Sequence, residues 1–361
     1  MSDVKLDFDD LMICPQYTDV DSRKKVSLTR EIKGHWGQTL TGVPIVAANM
    51  HGVGTFSMAR SLSRLGMFTA ITKDMSVKDW FMFFDSYENR RSEYYVDGPN
   101  IGRMSPDESV FLTLGMDKVN ENGFNNHDNL RKLKMIVAAK CFKQLKIVID
   151  VANGYMNPFY DYIKEVRDSA PDAFIMAGTI CTPEAALRVV ESGADVARVG
   201  IGTGAVCTTR KVAGVGYPQA SAIMECSPVA DIECDGGCTD PADFVKAFAL
   251  GSSIVMAGSV FAAHKEGEID PDNDLNVLFY GMSSHVAQDA MGQRNEYRSS
   301  EGRVVKIPYR GEVKQTAEHI LGGLRSGCAY SNALNLDELA SKAKIIRVNN
   351  QLNRVLEKYT I

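Results

Sequence analysis

The strongest constraint on this chain is an alternation: eight short apolar runs rich in β-branched residues, each followed by a segment with helical spacing. The runs are VPIVAAN from Val43, MFTAIT from Met67, VFLTLG from Val110, KIVIDVA from Lys146, AFIMAG from Ala173, VARVGIG from Val196, ADIECDGG from Ala230 and SIVMAG from Ser253. Continuous apolar runs of this length suit strands buried on both faces, and strands alternating with helices make a parallel sheet. Eight units is the number that closes a (β/α)8 barrel, the TIM-barrel member of the α/β class. Two helical segments carry their own boundaries: TPEAALRVVESG and DPADFVKAFALG open on Thr182 and Asp240 just before a proline and stop at Gly193 and Gly251. With 361 residues, 45% of them hydrophobic, the chain can bury the core that one such barrel needs. A doubly wound open sheet would carry its phosphate glycines after the first strand, whereas here they crowd after the sixth, seventh and eighth.

Charge and composition exclude several classes of function. A net charge of −5 offers no field for wrapping nucleic acid, and the pairs Lys24-Lys25 and Arg90-Arg91 read as solvated surface. The opening MSDVKLDFDDLMICP has no signal-peptide pattern and no apolar run is long enough to span a bilayer, so no membrane association and a cytoplasmic location are expected. Eight scattered cysteines fit reduced thiols, most of them small core residues. Cys234 and Cys238 in CDGGC lack the second pair that a zinc site needs. The segments ENRRSEYYVDGPNIGRMSP and HKEGEIDPDNDLN read as surface loops.

In a barrel of this kind, chemistry sits where strands end and loops begin. The expected strand ends carry Asn49, Lys73, Asp150, Gly178, Gly200 to Gly204, Asp235 to Gly237, and Gly258. One stretch stands out, VGIGTGAVCTTRKVAGVGYPQ from Val199 to Gln219. Its first three glycines alternate, which fits neither the G-x-G-x-x-G fingerprint nor a Walker loop. They do let backbone amides or carbonyls turn toward a ligand or ion. Cys207 follows, with two hydroxyls and Arg210 beside it. That is poor core material and a suitable setting for a thiolate, although buried cysteines in tight turns are common.

The stretches GIGTGAVCTTRKVAGVGYPQ, DGGCTDPADFVKAFALG, FYGMSS, EYRSSEGR and ILGGLRSGCAY resemble, in order and spacing, the reductase branch of the IMP dehydrogenase/GMP reductase family. The resemblance runs from LDFDDLMICP nearly to IIRV. It implies one (β/α)8 catalytic domain over residues 1–361 without inserted regulatory domains, an N-terminal arm over about 1–40 and an active-site flap over about 281–312. The sister branch, IMP dehydrogenase, shares the barrel, the cysteine and the phosphate loops. Against it stand the CTTRKVAGVGYPQ loop, GMSS in place of Gly-Met-Gly, and the absence of any Arg-Tyr dipeptide. An FMN-binding barrel oxidoreductase and a catalytically silent nucleotide-binding protein are the remaining alternatives.

The resemblance implies NADPH-dependent reductive deamination of GMP to IMP and ammonia through a covalent thioimidate on Cys207, as part of purine salvage. Thr209 and Glu301 match positions that handle protons on the departing amine. Asp235 matches the ribose contact, and Gly236, Gly237, Gly258 and Ser259 match the 5′-phosphate contacts. Gly281, Met282 and Ser283, with Arg298, Ser299, Ser300 and Gly302, match the purine side. Lys73, Asp150, Val151, Ala152, Ile201, Gly202, Met282, Tyr297 and Arg298 match the NADPH side, with Ser22 and Arg23 reaching a neighbouring subunit's cofactor. Gly202, Gly204 and Cys207 match carbonyls that hold a monovalent cation, potassium. Small-molecule ligands and a homotetramer follow from the same resemblance. Two segments depart from the family pattern: MGQRNEYRSSEGR, without paired glycines before EYR, and CDGG for Ser-Asp-Gly-Gly.

Overall fold

The computed structural model describes residues 4–88, 104–116, 129–290 and 299–349. Each expected apolar run holds one strand: β1 (Ile45–Ala47), β2 (Phe68–Ile71), β3 (Val110–Leu114), β4 (Lys146–Asp150), β5 (Phe174–Ile180), β6 (Val196–Val199), β7 (Ile232–Asp235) and β8 (Ile254–Ala257). They pair in parallel and in chain order, with β8 returning to β1, so the sheet closes into a barrel. The residues of these strands are buried except Asp150 and Asp235, which end β4 and β7. Burial on both faces explains why the runs are continuously apolar. It also means that a polar side chain at a strand's C-terminal end looks out at the barrel mouth.

The helices that alternate with the barrel strands are α1 (Phe56–Leu62), α2 (Val77–Glu88), α3 (Asn129–Ala139), α4 (Asn157–Ser169), α5 (Pro183–Glu191), α6 (Gln219–Cys226), α7 (Pro241–Ala249) and α8 (Val313–Tyr330), and short helices lie at Thr209–Val212, His285–Ala290 and Leu336–Lys342. α8 packs against both α7 and α1 and so completes the outer ring. The expected boundaries of α5 and α7 hold for the expected reasons. Thr182 Oγ1 accepts the Ala185 amide, worth about 1 kcal/mol as a cap. Asp240 and Asp243 form a capping box, and Gly193 and Gly251 take φ of +129° and +106°, where a Cβ is strained.

Outside the barrel, Leu11–Cys14 pairs antiparallel with Lys344–Arg347, Arg30–Lys33 with Thr39–Gly42, and Asn276–Tyr280 with Val304–Pro308. The last hairpin stands over the barrel mouth through contacts described below. No helix among the described residues is long and apolar enough to cross a membrane.

Two expectations need correction. HKEGEIDPDNDLN is not wholly surface: His264 and Glu266 are buried, the ring bonding to Phe261 O and Thr316 Oγ1, the carboxylate accepting from Ser61 Oγ and the Val313 amide. Apart from Phe261, their partners lie on α1 and at the start of α8, beyond any local pattern. Of the eight cysteines, Cys226, Cys234, Cys238 and Cys328 are buried, while Cys14, Cys141, Cys181 and Cys207 are partly exposed. Half of them, rather than most, are therefore core residues.

Candidate functional site

The loop after β6 is built to stay close to the neighbouring strand end. A Cβ at Gly200 would lie 2.2 Å from the Asp235 carbonyl oxygen, so only glycine lets the loop leave β6 here. Thr203 Oγ1 donates to that same carbonyl at 2.7 Å. The loop's far end is anchored by the fully buried Gln219, whose Nε2 donates to Val199 O at 2.7 Å and whose amide donates to Asp7 Oδ1 at 2.6 Å. Arg210 does not stand free beside the thiol. Its guanidinium bonds to Asp7 Oδ2 at 3.1 Å and Tyr217 O at 2.8 Å, and its stem packs over Gly202 and Gly216, where a Cβ would come within 2.7 and 2.6 Å of Cγ. Arg210 is thus a clamp that holds the N-terminal arm and both glycine turns together.

The three residues expected to carry the chemistry meet. Cys207 Sγ donates to Thr209 Oγ1 at 3.2 Å, and Thr209 Oγ1 donates to Glu301 Oε2 at 2.7 Å. Glu301 arrives from the hairpin strand end 92 residues away. The backbone secures it: Thr208 N–H donates to Glu301 O at 2.8 Å, Cys207 bridges to Gly302, and Arg303 N–H donates to Val206 O at 2.9 Å. Gly281 and Gly302 face each other at this junction. A Cβ at Gly281 would lie 3.1 Å from the Gly302 Cα, and one at Gly302 2.8 Å from the Ser284 amide nitrogen. Ser300 Oγ donates to Ser283 O at 3.3 Å and to Gly302 O at 3.1 Å, so the 281–283 and 299–303 segments form one unit over the cysteine. Arg298 and Tyr297 lie outside the described residues.

At the end of β7, Gly236 and Gly237 take φ of +78° and +84°, a turn that opens a cradle at the strand end. Gly258 follows β8 directly, and a Cβ there would meet Met50 Sδ at 2.7 Å. Ser259 and Val260 carbonyls accept from Arg310 Nη1 at 3.0 and 3.2 Å, which brings a cation beside this turn. Turns after strands seven and eight are where barrels of this kind hold phosphate.

On the opposite side, Lys73 lies just past the end of β2 with its side chain over Gly115, and its carbonyl accepts from Lys132 Nζ at 2.6 Å. Val151 N–H donates to Gly178 O at 2.8 Å, and Thr179 N–H returns to Val151 O at 3.0 Å, which fixes the turn from Asp150 to Ala152. Ile201 is buried and accepts the Tyr217 amide. A lysine past the end of β2 and a carboxylate at the end of β4, close enough for their charges to interact, suit the phosphates and hydroxyls of a dinucleotide. Ser22 and Arg23 are not gathered with these residues. They belong to the arm segment whose neighbours bond to Tyr330 at the end of α8 and to Asn332 and Leu334 just past it. At the carbonyl trio, Gly202 takes φ of +75°, and Gly204 O accepts the Cys207 amide at 2.9 Å with a second lone pair remaining.

Beneath the mouth Asp150 and Asp235 join a charged cluster with Arg198 and Glu233, which are not among the expected site residues. Arg198, on β6, donates from Nη1 to Asp150 Oδ1 at 2.7 Å, from Nη2 to Asp235 Oδ2 at 2.9 Å and from Nε to Glu233 Oε2 at 3.0 Å. Gly178 makes room for it, since a Cβ there would lie 2.4 Å from Arg198 Cβ. Burial works to raise the Asp150 carboxyl, but Arg198 and Lys73 outweigh it and hold the group below its ordinary value. Asp235 goes the other way, raised by burial against the pull of Arg198. The signal was present: an arginine and a glutamate inside adjacent strands that otherwise read as fully apolar. A second unforeseen chain links strand-end loops, with His51 Nδ1 3.1 Å from Tyr280 Oη and Nε2 3.1 Å from Asp74 Oδ2.

The family described as IMP dehydrogenase / GMP reductase domain matches residues 5–354. A GMP reductase of Caenorhabditis elegans is 43% identical, over 97% of this chain and 93% of that protein. GMP reductase 2 of Homo sapiens is 41% identical over 99% and 98%. A GMP reductase of Onchocerca volvulus is 40% identical over 99% and 94%.

Proposed function

The chain belongs to the IMP dehydrogenase/GMP reductase family, and from that premise we propose that it converts GMP, NADPH and two protons into IMP, ammonium and NADP⁺. The observation that carries this reading is the run from Cys207 through Thr209 to Glu301, at 3.2 and 2.7 Å, with the flap backbone seated on the same loop.

Carbon-2 of guanine is electrophilic but bears a poor leaving group, which calls for a covalent nucleophile and a proton donor on the amine. Cys207 adds to carbon-2, its proton passing along Thr209 toward Glu301. The same Thr209–Glu301 pair then delivers a proton to the exocyclic amine, which leaves as ammonia and gives a thioimidate on Cys207. Bound NADPH supplies the hydride that takes the amine's place and expels the thiolate. Asp235 holds the ribose hydroxyls, and Gly236, Gly237, Gly258 and Ser259 present the phosphate cradle. Gly281, Met282, Ser283, Arg298, Ser299, Ser300 and Gly302 enclose the purine. Lys73, Asp150, Val151, Ala152, Ile201, Gly202, Met282, Tyr297 and Arg298 hold the dinucleotide. Ser22 and Arg23 extend to a neighbouring subunit, which agrees with their place away from this chain's own mouth.

In the same reading, the carbonyls of Gly202, Gly204 and Cys207 would hold potassium, and the protein is a cytoplasmic homotetramer of single-domain subunits, with an arm over about 1–40 and a flap over about 281–312. The test is a paired assay. GMP should drive NADPH oxidation with one ammonia released per NADPH. Faster formation of xanthosine monophosphate from IMP, NAD⁺ and water would replace this reading with the dehydrogenase reaction.

A further inference from the structure

The carboxylates around Arg198 do not stand alike. The side chains of Asp150 and Asp235 are 27% and 23% exposed at the mouth, while that of Glu233 is fully buried, with Oε1 left without a hydrogen-bond partner. Glu233 sits in register with Arg198 across β6 and β7. Asp150 and Asp235 are balanced by Arg198 and by Lys73, which acts on Asp150 through space. A third ionised carboxylate would leave the mouth negative, and burial accordingly pushes the Glu233 carboxyl up to about 8 despite Arg198. The charged groups that face it are Arg198 from β6, Asp235 from its own strand and Asp150 from β4. Met256 from β8 contributes only its sulfur, 3.4 Å from Arg198 Nη2.

We propose that Glu233 is a positioning residue: seated against Nε, it fixes the Arg198 guanidinium in the plane that presents its two terminal nitrogens to Asp150 and Asp235, and so couples occupancy of the nucleotide site to occupancy of the dinucleotide site. The inference rests on the proposed assignment of Asp235 to the substrate and Asp150 to NADPH. No covalent step is involved. A planar fork held at one edge cannot rotate toward one carboxylate without leaving the other, so a ligand that orders either carboxylate orders the second as well.

IMP and NADPH together cannot react, so their ternary complex can be titrated at equilibrium by calorimetry. In the wild type, each ligand should tighten the other by about 5- to 150-fold, the usual range for coupled sites. An ionised Glu233 adds negative charge beneath an anionic ligand, so wild-type affinity for IMP should fall as pH rises through about 8. Glu233→Gln keeps an acceptor for Nε without the charge. It should preserve the coupling at pH 7 and lose the step near pH 8, any titration of the ligand itself being common to both proteins. Glu233→Leu, with folding checked by thermal unfolding, should weaken both ligands and bring the coupling factor close to one. If that variant does not fold, the Gln profile decides. A Gln variant that keeps the wild-type pH profile, or a folded Leu variant with undiminished coupling, overturns the proposal and leaves the function intact. A wild type that binds neither ligand contradicts the function itself.

Discussion

Arg167 and Arg198 are buried at opposite ends of the same barrel, 8% and 2% exposed, and their surroundings differ in kind. Arg167 lies below the N-terminal ends of the strands. Its Nε donates to Gly193 O, Nη1 to Pro171 O and Ala173 O, and Nη2 to Asp195 Oδ2 at 2.6 Å. Asp195 in turn accepts the amides of Ile175 and Trp36, so both of its oxygens are engaged. Arg198, near the C-terminal ends, faces three carboxylates, of which one has an unpaired oxygen and two open to the mouth. A saturated buried pair secures structure. An unsaturated one keeps hydrogen-bonding capacity for something that arrives later. The two ends therefore teach which residues answer to stability and which to chemistry.

The comparison is broken most directly at the mouth. Cys207→Ala should remove all GMP-dependent NADPH oxidation while GMP binding and thermal unfolding stay as in the wild type, because the proposed ribose and phosphate contacts are on other loops. A variant that loses its fold along with its activity would place Cys207 with the structural end instead. Glu301→Gln should slow turnover by roughly 10²- to 10⁴-fold, the cost of a lost acid–base group. Its hydride step should survive, so IMP with NADP⁺ and no ammonia should still give a burst of NADPH comparable with enzyme concentration. Loss of that burst, with the wild type showing it, would make Glu301 a purine-positioning group.

At the other end the effect should move from rate to stability. Asp195→Asn leaves the buried Arg167 without its counter-ion and should cost about 3–5 kcal/mol in denaturant unfolding, with the kcat of the folded enzyme unchanged. An altered kcat would erase the distinction between the two ends. The smallest effect belongs to the half-exposed His51–Asp74 pair. The hydrogen bond from His51 is the main cause that holds the Asp74 carboxyl at about 2, below its ordinary 3.8. Its contribution to stability is fully present above about pH 4 and is lost as pH falls through about 2. The stability difference between wild type and Asp74→Asn should shrink over that window, and a difference independent of pH would refute the pairing.

The barrel was legible because its strands are buried on both faces and its helices announce their ends, as at Thr182-Pro183 and Gly193. The cysteine loop was legible because glycines, hydroxyls and a thiol make a poor core. What sequence could not supply was partnership at a distance. Glu301 alone reads as a solvated carboxylate and gains a role only through the resemblance and through Thr209, 92 residues away. Arg198 and Glu233 are 35 residues apart, and His51 and Tyr280 are 229 apart. Burial of His264 and Glu266 depends in the same way on Ser61, Val313 and Thr316.

The proposed chemistry turns on a covalent bond at Cys207, and that bond can be weighed. Enzyme mixed with IMP and NADP⁺ in the absence of ammonia, quenched in acid, digested and examined by mass spectrometry should carry a purine-nucleotide increment on the peptide containing Cys207 and on none of the peptides holding Cys14, Cys141, Cys181, Cys226, Cys234, Cys238 or Cys328. An enzyme that turns over GMP yet shows no adduct, or shows it on another of these cysteines, would contradict the account.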